Sequence, residues 1–289
     1  MWISQYDDRR NVPYKDKVKE NTMYVENINF TPTMRCNLKC KLCGVMVPHY
    51  EYRPHMNEDE WKKTLKALFE IVDKVRRFQV TGGEPLVHPY LDQVLSEIFK
   101  YDDQFEELWL FTNCAVPLRA NVLEVLKTHK DKVLVHCSDY GVRPEVAQAN
   151  IRLMEENDIP HRYLKYYGEN QYFDGWVDNG DFVAHNRSEE ENTKIFKACS
   201  HTCRGGSWYV RDGQIHWCGR SIRGTEIGKI PSTTADYLDL FDDKTTTEEK
   251  KQLFEELRKR TVITACDYCN GYYGTTDESK RYPAGEQME

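Results

Sequence analysis

No run in the 289-residue chain approaches the roughly 20 consecutive apolar residues that cross a bilayer. The stretch Met1 to Arg10 carries charges where a signal peptide needs an apolar centre. Neither a membrane span nor a secretory route is expected, and the chain reads as cytoplasmic. An excess of basic residues is missing too. Lys and Arg total 40 against 47 Asp and Glu, a formal charge of -7, so the molecule as a whole repels polyanions and nucleic acid is a disfavoured partner. Internal repeats are also lacking. What is present is 39% hydrophobic and 12% aromatic content, enough for one large domain and a small appendage. Ten cysteines are many for a reducing compartment, where disulfides are rare, so thiolate ligands to metal explain them better than a disulfide framework.

Beyond a polar leader (residues 1–22), strand and helix patterns alternate. Strands are predicted at Met23 to Phe30, Phe78 to Thr81, Glu107 to Thr112, Lys132 to Cys137 and His161 to Tyr166. Helices are predicted between them, at Glu58 to Val72, Tyr90 to Lys100, Leu118 to Thr128 and Pro144 to Asn157. Such alternation means parallel strands joined by crossover helices, hence an α/β sheet or barrel over residues 23–195. From about Gly168 the rhythm changes to aromatic, Gly-rich and Asn-rich sequence. Residues 196–289 form a second unit, with short strands at Ser207 to Arg211 and Gln214 to Cys218. A helix at Thr246 to Lys259 is announced by its Thr run, early Glu residues and basic last turn. Asp277 to Glu289 reads as a polar tail.

The run Cys36-Asn-Leu-Lys-Cys40-Lys-Leu-Cys43 supplies three thiolates from one tight loop after the first strand. Three is the informative number, because a four-iron cluster held by three cysteines leaves one iron open to a small molecule. A structural zinc site is the competing reading. It draws its ligands in pairs from separate segments, and only His49 lies at a suitable local spacing for a fourth ligand. Thr81-Gly82-Gly83-Glu84-Pro85 follows the second strand. Taken alone it is an ordinary turn, although glycines at a strand's C-terminal end let the backbone approach a ligand closely.

Together these two motifs, each in its place, resemble the radical S-adenosylmethionine superfamily. The resemblance implies a partial (β/α)6 TIM-like barrel with a [4Fe-4S] cluster on Cys36, Cys40 and Cys43. It implies that S-adenosylmethionine chelates the open iron, with Gly82, Gly83 and Glu84 lining its amino group and Leu42 near the adenine. One electron, supplied by a flavodoxin or ferredoxin-type donor, would then yield a 5'-deoxyadenosyl radical that takes a substrate hydrogen. Thr112 and Asn113 at the third strand's end, and Ser138 and Asp139 at the fourth's, fall where the family contacts the cofactor; turn capping is their other reading.

Cys203, Cys218, Cys266 and Cys269, with Gly213 between the first two, resemble the shortened auxiliary-cluster domain called twitch. They would ligate a second [4Fe-4S] cluster or, alternatively, zinc in ribbon geometry. Cys199 makes the first ligand ambiguous. The further downstream cysteines of the longer two-cluster version are missing. Cys114 and Cys137 sit at predicted strand ends, positions that face a barrel mouth. There a thiol, or that of Cys199, would donate hydrogen to a substrate radical as in radical epimerases; an inert buried cysteine is the alternative. The aromatic and polar stretch Tyr163 to Trp176 suits a polyhydroxylated ligand or packing between units. The layout resembles enzymes of the 2-deoxy-scyllo-inosamine dehydrogenase type. It therefore implies a sugar or cyclitol-like substrate oxidised at an alcohol carbon, with epimerisation or maturation of a ribosomally made peptide as alternatives.

Overall fold

The alternation between residues 23 and 166 folds as consecutive strand and helix units. A computed structural model describes residues 22–52, 54–172, 176–199, 206–271 and 281–289. The units are β1 (Tyr24–Thr33), α1 (Glu58–Ile71), β2 (Lys74–Gly82), α2 (Leu91–Ile98), β3 (Phe105–Thr112), α3 (Ala120–Thr128), β4 (Val133–Asp139), α4 (Pro144–Glu156) and β5 (His161–Lys165). Beyond them come α5 (Glu189–Ala198), β6 (Ser207–Arg211), β7 (Gln214–His216), α6 (Gly219–Glu226), β8 (Tyr237–Asp239) and α7 (Thr247–Arg258).

One open sheet of eight strands, in the order β5-β4-β3-β2-β1-β6-β7-β8, contains every named strand. The neighbours from β5 to β6 pair in parallel, whereas β7 and β8 run antiparallel. This is an α/β fold of the partial-barrel kind, its sheet not closed on itself. The hairpin expected to begin a separate unit extends the same sheet from its β1 edge.

Register decides what each face offers. Phe30, Val80, Leu110 and Val135 align across four strands and join the main core with Leu65, Leu95, Leu126 and Ile151 of the helices. One residue along, period-2 alternation turns Asn29, Gln79, Trp109 and then Phe111 and His136 to the opposite, concave face. That face is polar and aromatic, with Gln79 Nε2 donating to Asn27 Oδ1 at 3.3 Å. Because the strands are parallel, the first cysteine loop, the Gly82-Gly83 turn, Asn113 and Ser138 all fall at the same edge of the sheet, outside the strands' carboxyl ends.

Candidate active site and the two cysteine sets

The Gly82-Gly83 turn is bare because β1's exit passes against it. A Cβ on Gly82 would stand 2.2 Å from the Thr33 carbonyl oxygen, and one on Gly83 would stand 2.1 Å from that of Arg35. Gly83 N donates to Thr33 O (2.9 Å) and Glu84 N to Arg35 O (2.8 Å), so the turn fixes the chain immediately before Cys36. Glu84, 1% exposed, accepts from Leu86 N (2.9 Å), Thr112 Oγ1 (2.8 Å) and Asn113 N (2.6 Å). Burial pushes its carboxyl up to about 7. Asn113 then reaches the cysteine loop, its Nδ2 donating to Asn37 Oδ1 (2.8 Å) and lying 3.7 Å from Cys36 Sγ. Glu84 and Asn113, named from sequence as cofactor contacts, and Cys36, named as a cluster ligand, thus form one chain of contacts across β2, β3 and the loop.

Cys40 and Cys43 lie within electrostatic range of Cys36, and burial raises the Cys36 thiol to about 12 and that of Cys40 to about 11. Leu42 is half-buried in the same loop. Ser138 bonds to Tyr140, whose ring lies 5.5 Å from Tyr166 and 5.4 Å from Trp176. Tyr140 also feels Cys40 and Cys43. The aromatic stretch noticed in sequence therefore meets the cysteine loop through Tyr140. Asp139 accepts from Tyr163 OH (2.7 Å) and Gly141 N (2.8 Å), capping the turn after β4.

Cys218 caps α6, its Sγ accepting from Ser221 N at 3.3 Å. Cys266, Cys199 and Cys269 lie within its electrostatic range. Four thiols thus gather from α5's end, α6's start and the Cys266–Cys269 turn. Cys203 lies outside the described residues. Cys114 and Cys137 are elsewhere: both are free thiols in the apolar core, 1% and 0% exposed, hydrogen-bonded to each other. Alternation along β4 turns Cys137 to the helix side with Val135, whereas Ser138 takes the concave side.

Among the described residues no group of three or more His, Cys, Asp or Glu stands ready to hold one metal ion. The thiol donors are nonetheless of the kind that would hold iron–sulfur clusters, and two buried arginines suit that fit. Arg220 donates from Nε to Tyr268 O (2.6 Å), while its Nη2 has no partner among the described residues and Cys218 and Cys269 lie in its range. Arg223, 1% exposed, gives Nη2 to Thr31 Oγ1 (2.8 Å) and leaves Nε and Nη1 without a partner among the described residues, with Cys43 in its range. Buried guanidinium donors without acceptors are costly, and an anionic thiolate-bound cluster at each set would supply charge and sulfur acceptors. Sequence reasoning missed both arginines, because nothing in their spacing separates them from surface residues.

A three-cysteine loop after the first strand of an open parallel sheet, clamped by a Gly-Gly-Glu turn after the second, is the arrangement whose motifs resemble the radical S-adenosylmethionine superfamily. Residues 30–170 match the Radical SAM superfamily. Among curated proteins, the chain is 35% identical over 121 residues to the antilisterial bacteriocin subtilosin biosynthesis protein AlbA of Bacillus subtilis, covering 40% of this chain and 25% of that protein. It is 38% identical over 93 residues to the probable GTP 3',8-cyclase of Methanopyrus kandleri, covering 31% of this chain and 27% of that one. The chain thus spans about a quarter of the length of each. Among solved structures, BtrN in complex with AdoMet and 2-DOIA superposes with a TM-score of 0.54 at 12% identity, over 94% of this chain and 100% of that chain. The anSMEcpe enzyme with bound AdoMet gives 0.51 at 13% identity, over 85% and 82%. Both share the fold. No helix among the described residues is long and apolar enough to cross a membrane.

Proposed function

We propose that this chain is a radical S-adenosylmethionine enzyme that oxidises an alcohol carbon of a sugar or cyclitol-like substrate to a ketone. Cys36, Cys40 and Cys43 would hold the [4Fe-4S] cluster and its S-adenosylmethionine. Cys218, Cys266 and Cys269, with Cys199 or Cys203, would hold a second. When bound, the first group would supply radical abstraction of the carbinol hydrogen and the second would supply an acceptor for the remaining electron, the hydroxyl proton leaving to solvent. The chain's own residues arrange this. Gly82 and Gly83 seat the cysteine loop against β2, Glu84 ties β2 to β3, and Asn113 holds the loop from β3. The concave face offers amide, imidazole and indole groups suited to hydroxyls and ring faces.

The observation that carries oxidation over epimerisation is the placing of the thiols. Cys199 lies with the second set, and Cys114 and Cys137 are sealed in the core, whereas a hydrogen donor must reach the substrate. The electron donor for the first cluster would be of flavodoxin or ferredoxin type. The test is anaerobic turnover of cyclitols and aminocyclitols with dithionite. Equal amounts of 5'-deoxyadenosine and a product two hydrogens lighter support oxidation; a product of unchanged mass carrying deuterium from D2O supports epimerisation. Similarity to a bacteriocin biosynthesis protein favours a second reading, peptide maturation, which requires the lighter product to be a peptide.

A further inference from the structure

Read as a polar tail, the segment 282–288 instead lies across the first cysteine loop. Lys41 N donates to Glu286 O (2.8 Å), Met288 N to Lys39 O (2.7 Å) and Lys39 N to Gln287 Oε1 (2.8 Å). Cys40 and Gln287 form an isolated antiparallel bridge, and Lys41 pairs with Glu286. The other end is anchored on the aromatic side, where Tyr282 N donates to Trp176 O (2.7 Å) and Ala284 N to Gln171 O (2.6 Å). Gly285, at φ 64°, lies so close to Tyr140 that a Cβ would stand 2.4 Å from its ring. Between these anchors Gln287 Nε2 donates to Cys40 Sγ (3.3 Å) and Gly285 O (2.5 Å). Since Oε1 accepts from a backbone N–H, the amide can present only its NH2 to the sulfur.

We propose that this segment is a strap that seals the first cluster, and that Gln287 is a positioning residue acting on it through Cys40. The proposal rests on the reading that Cys36, Cys40 and Cys43 hold a [4Fe-4S] cluster. A hydrogen bond to a ligating thiolate favours the more negative, reduced state, so the amide raises the cluster's potential and eases its one-electron reduction. The strap's backbone bonds keep water and small chelators from the loop.

The test uses the full chain, reconstituted anaerobically, as wild type, Gln287→Leu, Gly285→Val and a Cys36, Cys40, Cys43 triple alanine variant. If wild type and the triple variant hold equal iron, the cluster reading fails, and the strap with it. If they differ, the strap is judged by a potentiometric titration of the paramagnetic signal that the triple variant lacks. Gln287→Leu is expected to shift that signal to more negative potential and to release iron to a chelator severalfold faster. Gly285→Val, which forces the strap off Tyr140 with Gln287 intact, is expected to speed iron release likewise. An unchanged potential in Gln287→Leu, or unchanged iron release in both variants, overturns the proposal. Should Gln287→Leu fail to take up iron, iron release from Gly285→Val decides it.

Discussion

Gly83 has no room for a methyl group. The obstacle is the Arg35 carbonyl oxygen, which is backbone already bonded to Glu84 N and unable to rotate aside. Gly83→Ala should therefore cost about 1–3 kcal/mol of stability, the range for overpacked sites, with the strain falling next to Cys36. Urea denaturation of the apoprotein measures the cost, and iron content after reconstitution should fall in step. His136 permits a test by pH. Burial lowers its ring from 6.5 to about 4, so between those values the unfolded chain binds a proton that the folded chain refuses. Stability consequently falls as pH drops through that window, by up to about 1.4 kcal/mol per pH unit. Glu84 acts oppositely: its folded value is raised from 4.5 to about 7, so acidification through that range favours the folded state. His136→Phe should remove its own share, leaving apoprotein that is more stable at pH 5 relative to pH 7 than wild type is. An identical pH profile for the two proteins would show that the ring does not titrate as its burial requires. The Gly pair and Glu84 were legible as a motif, yet the contacts explaining them were not. A spacing reveals that a side chain is unwelcome but not which backbone atom excludes it.

At the scale of elements, legibility followed local signals. Helix α7 was readable because Thr246 and Glu249 form a reciprocal capping box, and acidic and basic residues occupy the correct ends. Thr246→Ala should cost about 1 kcal/mol, read as a lower denaturation midpoint at constant slope. Helix α5 carried the same sign, Ser188 with Glu191, but stood inside a stretch dominated by Asn, Gly and aromatic residues and was passed over. Helix α6 offered no comparable sign. Its sequence, Gly-Arg-Ser-Ile-Arg-Gly-Thr-Glu, has two glycines and no clear apolar stripe, so propensity argues against it. Tertiary burial overrides that preference: Gly224 abuts Ile230, Ser221 meets His216, and Arg223 enters the interior. The strand alternation was readable because core-facing residues repeat with period 2. That β6 returns to pair with β1 was not, because pairing partners distant in sequence leave no local mark.

For the whole molecule, α6 is the structural link between the two cysteine sets. Cys218 caps its start, Arg223 near its end lies in the electrostatic range of Cys43, and Ile227 just beyond packs against the same small cluster of Met34, Val47 and Tyr50 as Cys36 and Cys43 do. Eight residues at about 1.5 Å each span about 12 Å, so a short rigid element links the two sites. A single sheet also carries both, since β6 and β7, which lead to Cys218, extend it from β1, which leads to Cys36. The second set is thus carried by the same sheet as the first, a placement that would suit the proposed electron acceptor. Cys199, which lies in the electrostatic range of Cys218 with Cys266 and Cys269, is the fourth ligand to test against Cys203, which lies outside the described residues. Reconstituted wild type should bind about eight irons, four per cluster. Cys199→Ser should lower this to about four while keeping the signal assigned to the first loop, and Cys203→Ser should leave the count at about eight. The reverse pattern would assign the ligand to Cys203. Zinc persisting in the second set under anaerobic conditions would deprive the oxidation of its acceptor and leave the enzyme to chemistry that returns the electron to substrate.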